Sequence, residues 1–286
     1  MPHIIKGANG WEFVVVTDAG LNDDFKYVIH RGEKTALHIL FNKCSKEIIG
    51  RICEHEKSHL LQAINLMDEG GEINKLERLT SLRAINFGYA SHEFDFSALV
   101  NLEAIGGVWS RKWRGLDKCM YLTKYRVSKY KDVISNIPQL AKQEEISLIQ
   151  PTISSLDGME VAAKLSSLEI TMANKLQDIS AISGCAKTIS KLVIDCCKKI
   201  TSYDGINSLQ NLIHLAITDG ADINSISFIE HMNKLEFLSV AGTRILDNDL
   251  SYCIRNKSLR KFGCDNEKSY LPSREIIKAE MMKRIM

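Results

Sequence analysis

The chain has 286 residues, 45% of them hydrophobic, which is enough to bury a sizeable core; 37 basic and 35 acidic side chains leave a formal charge of only +2. So small a net charge excludes attraction of nucleic acid or membrane by overall charge, and any electrostatic message must be local. No apolar run approaches the roughly 20 residues that a membrane helix needs. The start MPHIIKGANGWEF lacks a basic-then-apolar leader, and the eight cysteines are scattered along the chain, so reduced thiols in a cytoplasmic protein are expected.

Residues 1–60 show no repeat. Residues 11–17 (WEFVVVT) and 25–30 (FKYVIH) read as strands joined by the turn-rich 18–24, a predicted hairpin. A strand-like piece over 37–41 and a helix over about 45–59 follow, and the segment is expected to be an N-terminal cap containing at most one degenerate repeat.

From residue 61 one phrase recurs: aliphatic, two variable residues, aliphatic, one variable residue, aliphatic. It reads Leu82-x-x-Ile85-x-Phe87, Leu122-x-x-Tyr125-x-Val127, Leu165-x-x-Leu168-x-Ile170, Ile189-x-x-Leu192-x-Ile194, Leu212-x-x-Leu215-x-Ile217, Leu235-x-x-Leu238-x-Val240 and Leu259-x-x-Phe262-x-Cys264. Weaker copies centre on Ile64, Ile105 and Ile146, so ten middle anchors repeat every 20–24 residues. The period-two ending describes a short strand with one buried face, and two dozen residues can bury that face only by stacking on a neighbour. Between strands a second phrase recurs, as in Ile153-x-x-Leu156-x-Gly158-Met159 and Ile200-x-x-Tyr203-x-Gly205-Ile206; this is the return half of each coil, expected to form 3₁₀ or short helical turns. Residues 269–286, with Ile276, Ile277, Met281 and Ile285 at roughly helical spacing, predict a capping helix.

This pattern resembles the leucine-rich-repeat superfamily, and its short period is similar to that of bacterial internalin-like repeats. The resemblance covers residues 61–268 and implies an α/β solenoid: about ten coils, a parallel sheet on the concave face and short 3₁₀ or helical turns on the convex face. The chain departs from the family at the position five after each anchor, where asparagine is usual. Here stand Ala90, Ser110, Tyr130, Ala173, Cys197, Gly220 and Thr243.

His55-Glu56-Lys57-Ser58-His59 matches H-E-x-x-H, which on a helix would place two histidines on one face for zinc, with Glu56 as base. Lys57 intrudes, and Asp68, Glu69 and Glu72 are merely nearby acids, so a solvated helix face is the better reading and a zinc hydrolase the outlying one. Cys196-Cys197 suits a shared metal poorly, because adjacent strand residues point apart. No P-loop, dinucleotide glycine fingerprint or Gly-x-Ser-x-Gly is found, so no cofactor, metal or catalytic residue is expected.

The resemblance implies that the concave face binds. The repeat register gives as partner-binding candidates Tyr89, Trp109, Arg111, Trp113, Lys124, Arg126, Lys129, Tyr130, Glu169, Asp195, His214, Asp219 and Phe237, and it turns Asn86 outward too. From Trp109 to Lys131 eight basic residues stand against one acid, interleaved with Trp and Tyr, a composition of protein-interface hot spots. Further along, Glu169, Asp195 and Asp219 make the surface acidic, which would repel a nucleic acid. The expectation is a non-catalytic, cytoplasmic scaffold for a protein partner, with no membrane role. By analogy with stand-alone repeat proteins of this size, the specific reading is an immunity protein that neutralises a bacterial toxin; a host-directed effector or signalling adaptor is the alternative.

Overall fold

A computed structural model describes residues 2–7, 10–67, 70–89 and 91–285. Ala90, Asp68 and Glu69 therefore lie outside the described residues. The chain forms two compact units, 1–128 and 129–286.

In the first unit β1 (His3–Lys6) pairs antiparallel with β2 (Glu12–Val15), and every later step of the sheet is parallel: β3 (Thr35–Ile39), β4 (Ala63–Leu66), β5 (Ala84–Asn86), and, beyond the two-residue β6 (Phe94–Asp95), β7 (Ala104–Val108). β9 (Lys124–Ser128) follows β7 in the sheet, while β6 pairs separately with β8 (Trp113–Arg114). The register aligns Val14, Leu37, Ile64, Ile85, Ile105 and Tyr125, all at most 2% exposed. Four of the ten repeat anchors thus continue a row begun by Val14 and Leu37, and the coil reaches back into the segment that sequence reading treats as a cap.

That segment holds a correction. Residues 25–30 are not a strand but lie in α1 (Leu21–Arg31), and the hairpin is β1–β2. The β-branched and aromatic content of FKYVIH favours a strand locally, but Leu21, Phe25 and Val28 are spaced four and three apart and bury one helical face. Asp23 and Asp24 in the first turn and His30 and Arg31 in the last complement the helix dipole, and Gly32 at φ 70° ends it. The predicted helix over 45–59 is also shorter. α2 spans Ile48–Glu54, burying Ile48, Ile49, Ile52 and Cys53, and stops where the run Glu54-His55-Glu56-Lys57 offers no further apolar residue.

In the second unit β10 (Glu145–Ile149), β11 (Ser167–Thr171), β12 (Lys191–Asp195), β13 (His214–Thr218), β14 (Phe237–Ser239) and β15 (Lys261–Gly263) are parallel neighbours, with Ile146, Leu168, Leu192, Leu215, Leu238 and Phe262 in one row. The return halves are mostly 3₁₀ turns, such as 159–161, 180–185, 204–208 and 227–231, which bury Met159, Ile182, Ile206 and Ile229 against the strand anchors. α3 (Ser251–Arg255) serves the last coil, and α4 (Arg274–Ile285) follows it.

Each strand from β10 to β14 leaves the sheet through a left-handed residue four places after its anchor: Gln150 (φ 52°), Met172 (57°), Cys196 (53°), Asp219 (47°) and Gly242 (69°). The first four donate their N–H to the carbonyl of Thr171, Asp195, Thr218 and Ala241 respectively, at 2.8–2.9 Å, so the bend completes the ladder as it ends the strand. Only the last is glycine, although the conformation costs other residues about 1–2 kcal/mol.

The missing asparagine ladder is replaced in two ways. At the family's asparagine position the fillers are heterogeneous: Tyr130 donates from its hydroxyl to Val133 O (2.8 Å), Cys197 lies against Asp195 O (3.3 Å), and Thr243 Oγ1 accepts from Gly220 N (2.9 Å). Ahead of the strands a second set of side chains donates to carbonyls of the coil before: Ser81 to Leu61 O, Asn101 to Thr80 O, Ser166 to Glu144 O, Ser190 to Ser166 O, Asn211 to Ala186 and Lys187 O, and Asn256 to Ile229 and Met232 O. At the end, Arg284 donates to the carbonyls of Ile254, Asn256 and Leu259 at 2.7–2.9 Å.

Two stability measurements follow from these contacts. Met172→Gly should raise stability in chemical denaturation by about 0.5–1 kcal/mol, the left-handed strain relieved less glycine's greater unfolded-state freedom; a loss would show that the bend is not strained. Arg284→Ala leaves three carbonyls short of a donor and should cost about 1–3 kcal/mol, with hydrogen exchange accelerating first in β15 and α3; an unchanged exchange pattern would remove the clamp's role.

Candidate functional site

Strand residues that alternate with the buried anchors form rows on the open face of the sheet. In the first unit one row is Ala36, Ala63, Ala84, Ala104 and Lys124, and the next is His38, Asn65, Asn86, Gly106 and Arg126. Asn65 Nδ2 donates to His38 Nδ1 at 2.7 Å and Asn86 Nδ2 to Asn65 Oδ1 at 2.6 Å, so three polar side chains bond in line across successive coils. His38 and Asn65 are buried, Asn86 and Gly106 are half-exposed, and Lys124 and Arg126 are exposed. None of these row residues is acidic.

Tyr89, Trp109 and Arg111 sit just beyond the strands. Tyr89 is 77% exposed, Trp109 continues the ladder by donating its N–H to Ser128 O (2.9 Å), and the Arg111 guanidinium lies 6.0 Å from the Trp109 ring centroid. Trp113 belongs elsewhere. It lies on β8 in the return half, packed against Phe87 and Phe96 at centroid distances of 5.9 and 5.7 Å, with its indole N–H buried and unpartnered. The basic run divides in the same way, since Lys112 and Arg114 pair with Glu93 at 3.5 and 3.4 Å on that side of the coil. Linear clustering of Trp and Arg in the sequence therefore overstates the cluster in space.

In the second unit one row is Glu145, Ser167, Lys191, His214, Phe237 and Lys261, the next Ser147, Glu169, Val193, Ala216, Ser239 and Gly263, and a third Ile149, Thr171, Asp195 and Thr218. His214 and Phe237 stack with centroids 4.2 Å apart and rings 2° from parallel. Lys191 Nζ lies 2.5 Å from Glu169 Oε1, which makes Glu169 half of an ion pair rather than a bare acid. Thr218 donates to Asp195 Oδ1. Lys129 and Asp219 are exposed at left-handed bends. Tyr130 is a second correction: it is 1% exposed and fills the core with its hydroxyl on Val133 O, because the position five after the anchor points inward. Trp113 and Tyr130 thus do not lie on the open face, whereas Ala84, Ala104 and Gly106, invisible to a search for hot-spot residues, do.

The H-E-x-x-H run does not form a metal-binding helix face. α2 ends at Glu54, and His55 has extended dihedrals (φ −61°, ψ 135°). Both ring nitrogens of His55 are engaged, Nε2 with Asn22 Oδ1 and Nδ1 with Lys57 N, each at 3.1 Å, and its ring stacks on Phe25 at 4.0 Å. His59 Nδ1 bonds Glu56 O instead. Among the described residues, Asp195, Cys196 and Asp219 alone bring three donor atoms of metal-ligating type within 4.8 Å of one another. Burial and then the two carboxylates push the Cys196 thiol up, disfavouring the thiolate a soft metal would require. All eight cysteines are free, and burial pushes Cys53, Cys119, Cys185, Cys197 and Cys264 up to about 11, so they pack as thiols.

Burial, reinforced by Lys191 and opposed by Glu169, lowers the pKa of His214. The folded state therefore favours the neutral ring, and the stability it contributes is present above about pH 6.5 and lost as pH falls below that value. The denaturation midpoint should drop between about pH 7.5 and pH 5.5, and His214→Gln should lessen the drop; an identical drop in the variant would assign it elsewhere.

No protein-family model matches the sequence, and no curated protein matches it at a significant level. Solved structures do match. The internalin InlF of Listeria monocytogenes superposes with a TM-score of 0.57 at 16% identity, covering 82% of this chain and 70% of that one. The functional domain of InlJ from the same organism, which includes a cysteine ladder, gives 0.56 at 16% identity over 73% of this chain and 45% of its own. TLR13, solved in complex with ssRNA13, gives 0.54 at 14% identity over 90% of this chain and 40% of its own. The chain thus spans less than half the length of the last two. By repeat sequence and by coil geometry, the chain has a leucine-rich-repeat fold similar to that of the internalins.

Proposed function

We propose that the chain is a non-catalytic recognition scaffold that holds a protein partner against the open face of its parallel sheet. The observation that carries this reading is the set of registered rows in each unit. They place exposed or half-exposed side chains of varied chemistry, from Arg126 and Asn86 to Phe237 and His214, on a rigid ladder with strands about 4.8 Å apart. Rigid presentation lowers the ordering cost of binding, and a stacked aromatic pair beside ion-paired side chains suits a protein surface. The finer reading is an immunity protein that neutralises a toxin by binding it; different charge patterns on the two units favour a partner with a matching, polarised surface.

Affinity capture of the tagged protein from its native cells should return one stoichiometric partner. Arg126→Ala combined with Phe237→Ala should lose it, while Lys164→Ala, in a return segment, should keep it. Retention by the double variant would refute the face. If expression of the captured partner stops growth and this chain restores it, the immunity reading holds; a partner with signalling activity and no toxicity would replace that reading with an adaptor.

A further inference from the structure

β1 ends the sheet and pairs antiparallel with β2. Gly7 donates its N–H to Trp11 O at 2.8 Å, and hydrogen-bonded residues alternate along an antiparallel strand, so Gly7, Ile5 and His3 are the ones that bond β2. β2 agrees with this phase: Glu12 and Val16 donate to Lys34 O and His38 O on the β3 side, which leaves Phe13 and Val15 for β1. The N–H and C=O groups of Ile4 and Lys6 therefore point away from the sheet, and no described strand pairs with them. The edge at β15 is finished differently, because α4 packs there and buries Ile277 and Met281. A strand edge with free backbone groups can take up a further strand. Beside that edge Ile5 stands on the open face opposite Phe13 and is 41% exposed, and Trp11 stacks on Phe13 with ring centroids 6.1 Å apart.

We infer that β1 pairs antiparallel with β1 of a second copy of this chain, about a two-fold axis through Ile5. The composition of the strand selects both the occupant and the register. With Ile5 opposite Ile5, Ile4 faces Lys6 on both sides of the axis, and the four outward groups of each copy make four backbone hydrogen bonds. Ile4 opposite Ile4 would bring Pro2, which has no N–H, against Lys6. Lys6 opposite Lys6 would confront like charges. The favoured register makes Ile5 a non-hydrogen-bonded pair, in which Cα atoms approach to about 4.5 Å. An exposed apolar side chain is then covered by its own copy, in the order Phe13, Ile5, Ile5, Phe13 across the axis. The contact is isologous and uses up both edges, so it closes at a dimer. It needs nothing from the open-face reading above, since the groups that bond lie at the end of the sheet.

The test is sedimentation velocity of the full chain at rising concentration, up to about 500 μM because so small an interface associates weakly. A monomer–dimer equilibrium is expected. Lys6→Pro removes one outward N–H from each copy and should weaken the dimer on the order of tenfold, whereas Lys6→Gln, which loses only the charge, should still dimerise. The register is read separately by treating Ile5→Cys and His3→Cys with oxidised glutathione. Ile5→Cys should give a disulfide-linked dimer well above the background of the unsubstituted chain, and His3→Cys, which would face Gly7 of the second copy, should not. This cysteine comparison decides the question even where the proline variant loses stability. A chain that stays monomeric at every concentration, a dimer indifferent to Lys6→Pro in a folded variant, or crosslinking of His3→Cys as readily as Ile5→Cys overturns the inference.

Discussion

Parallel register holds everything else in place. A strand of three to five residues with one buried face is unstable alone, and each coil becomes stable only when its anchor sits beside the anchors before and after it. In the second unit that row runs from Ile146 to Phe262 without a slip. A shift of one residue anywhere would turn the leucines outward and bury Glu169, Lys191 and Asp195 instead. The same constraint that protects the core therefore fixes the composition of the open face, so packing and recognition share one geometric cause.

That constraint explains how much was legible in the residues. Leu-x-x-Leu-x-Ile recurs because each hydrophobic position is dictated by stacking, and ten anchors could be read directly. Residues 1–60 were harder for a physical reason. Val14 and Leu37 occupy the same register row at the usual spacing, but the first place of the phrase holds Trp11 and then Lys34 instead of an aliphatic residue, and the coil with α2 between Leu37 and Ile64 is longer, so the pattern fades while the stacking persists. FKYVIH then read as a strand, although the three-and-four spacing of Leu21, Phe25 and Val28 contained the correct signal.

The candidate surface was only partly legible. Arg126, His214 and Phe237 follow from alternation along a strand. Tyr130 and Trp113 did not, because both lie past the point where alternation ends, one behind a left-handed bend and the other on β8. Search by hot-spot composition also passed over Ala84, Ala104 and Gly106, which the register puts on the open face. The polar donors that serve neighbouring carbonyls were equally hidden: Ser81, Asn101, Asn211 and Ser258 all immediately precede the first leucine of the phrase, a column that a search fixed on the family's asparagine position does not inspect.

Arg284 has a consequence of a different kind. Stacked coils behave as a nearest-neighbour chain, in which fraying begins at an end unit and travels inward one interface at a time. A single guanidinium that spans Ile254, Asn256 and Leu259 ties α4 to both the return half and the strand side of the final coil. It therefore raises the free energy of the first unzipping step without touching any interior interface. Local opening there works against that one guanidinium and the buried Ile277 and Met281 of α4, while the sheet further in keeps its own stability.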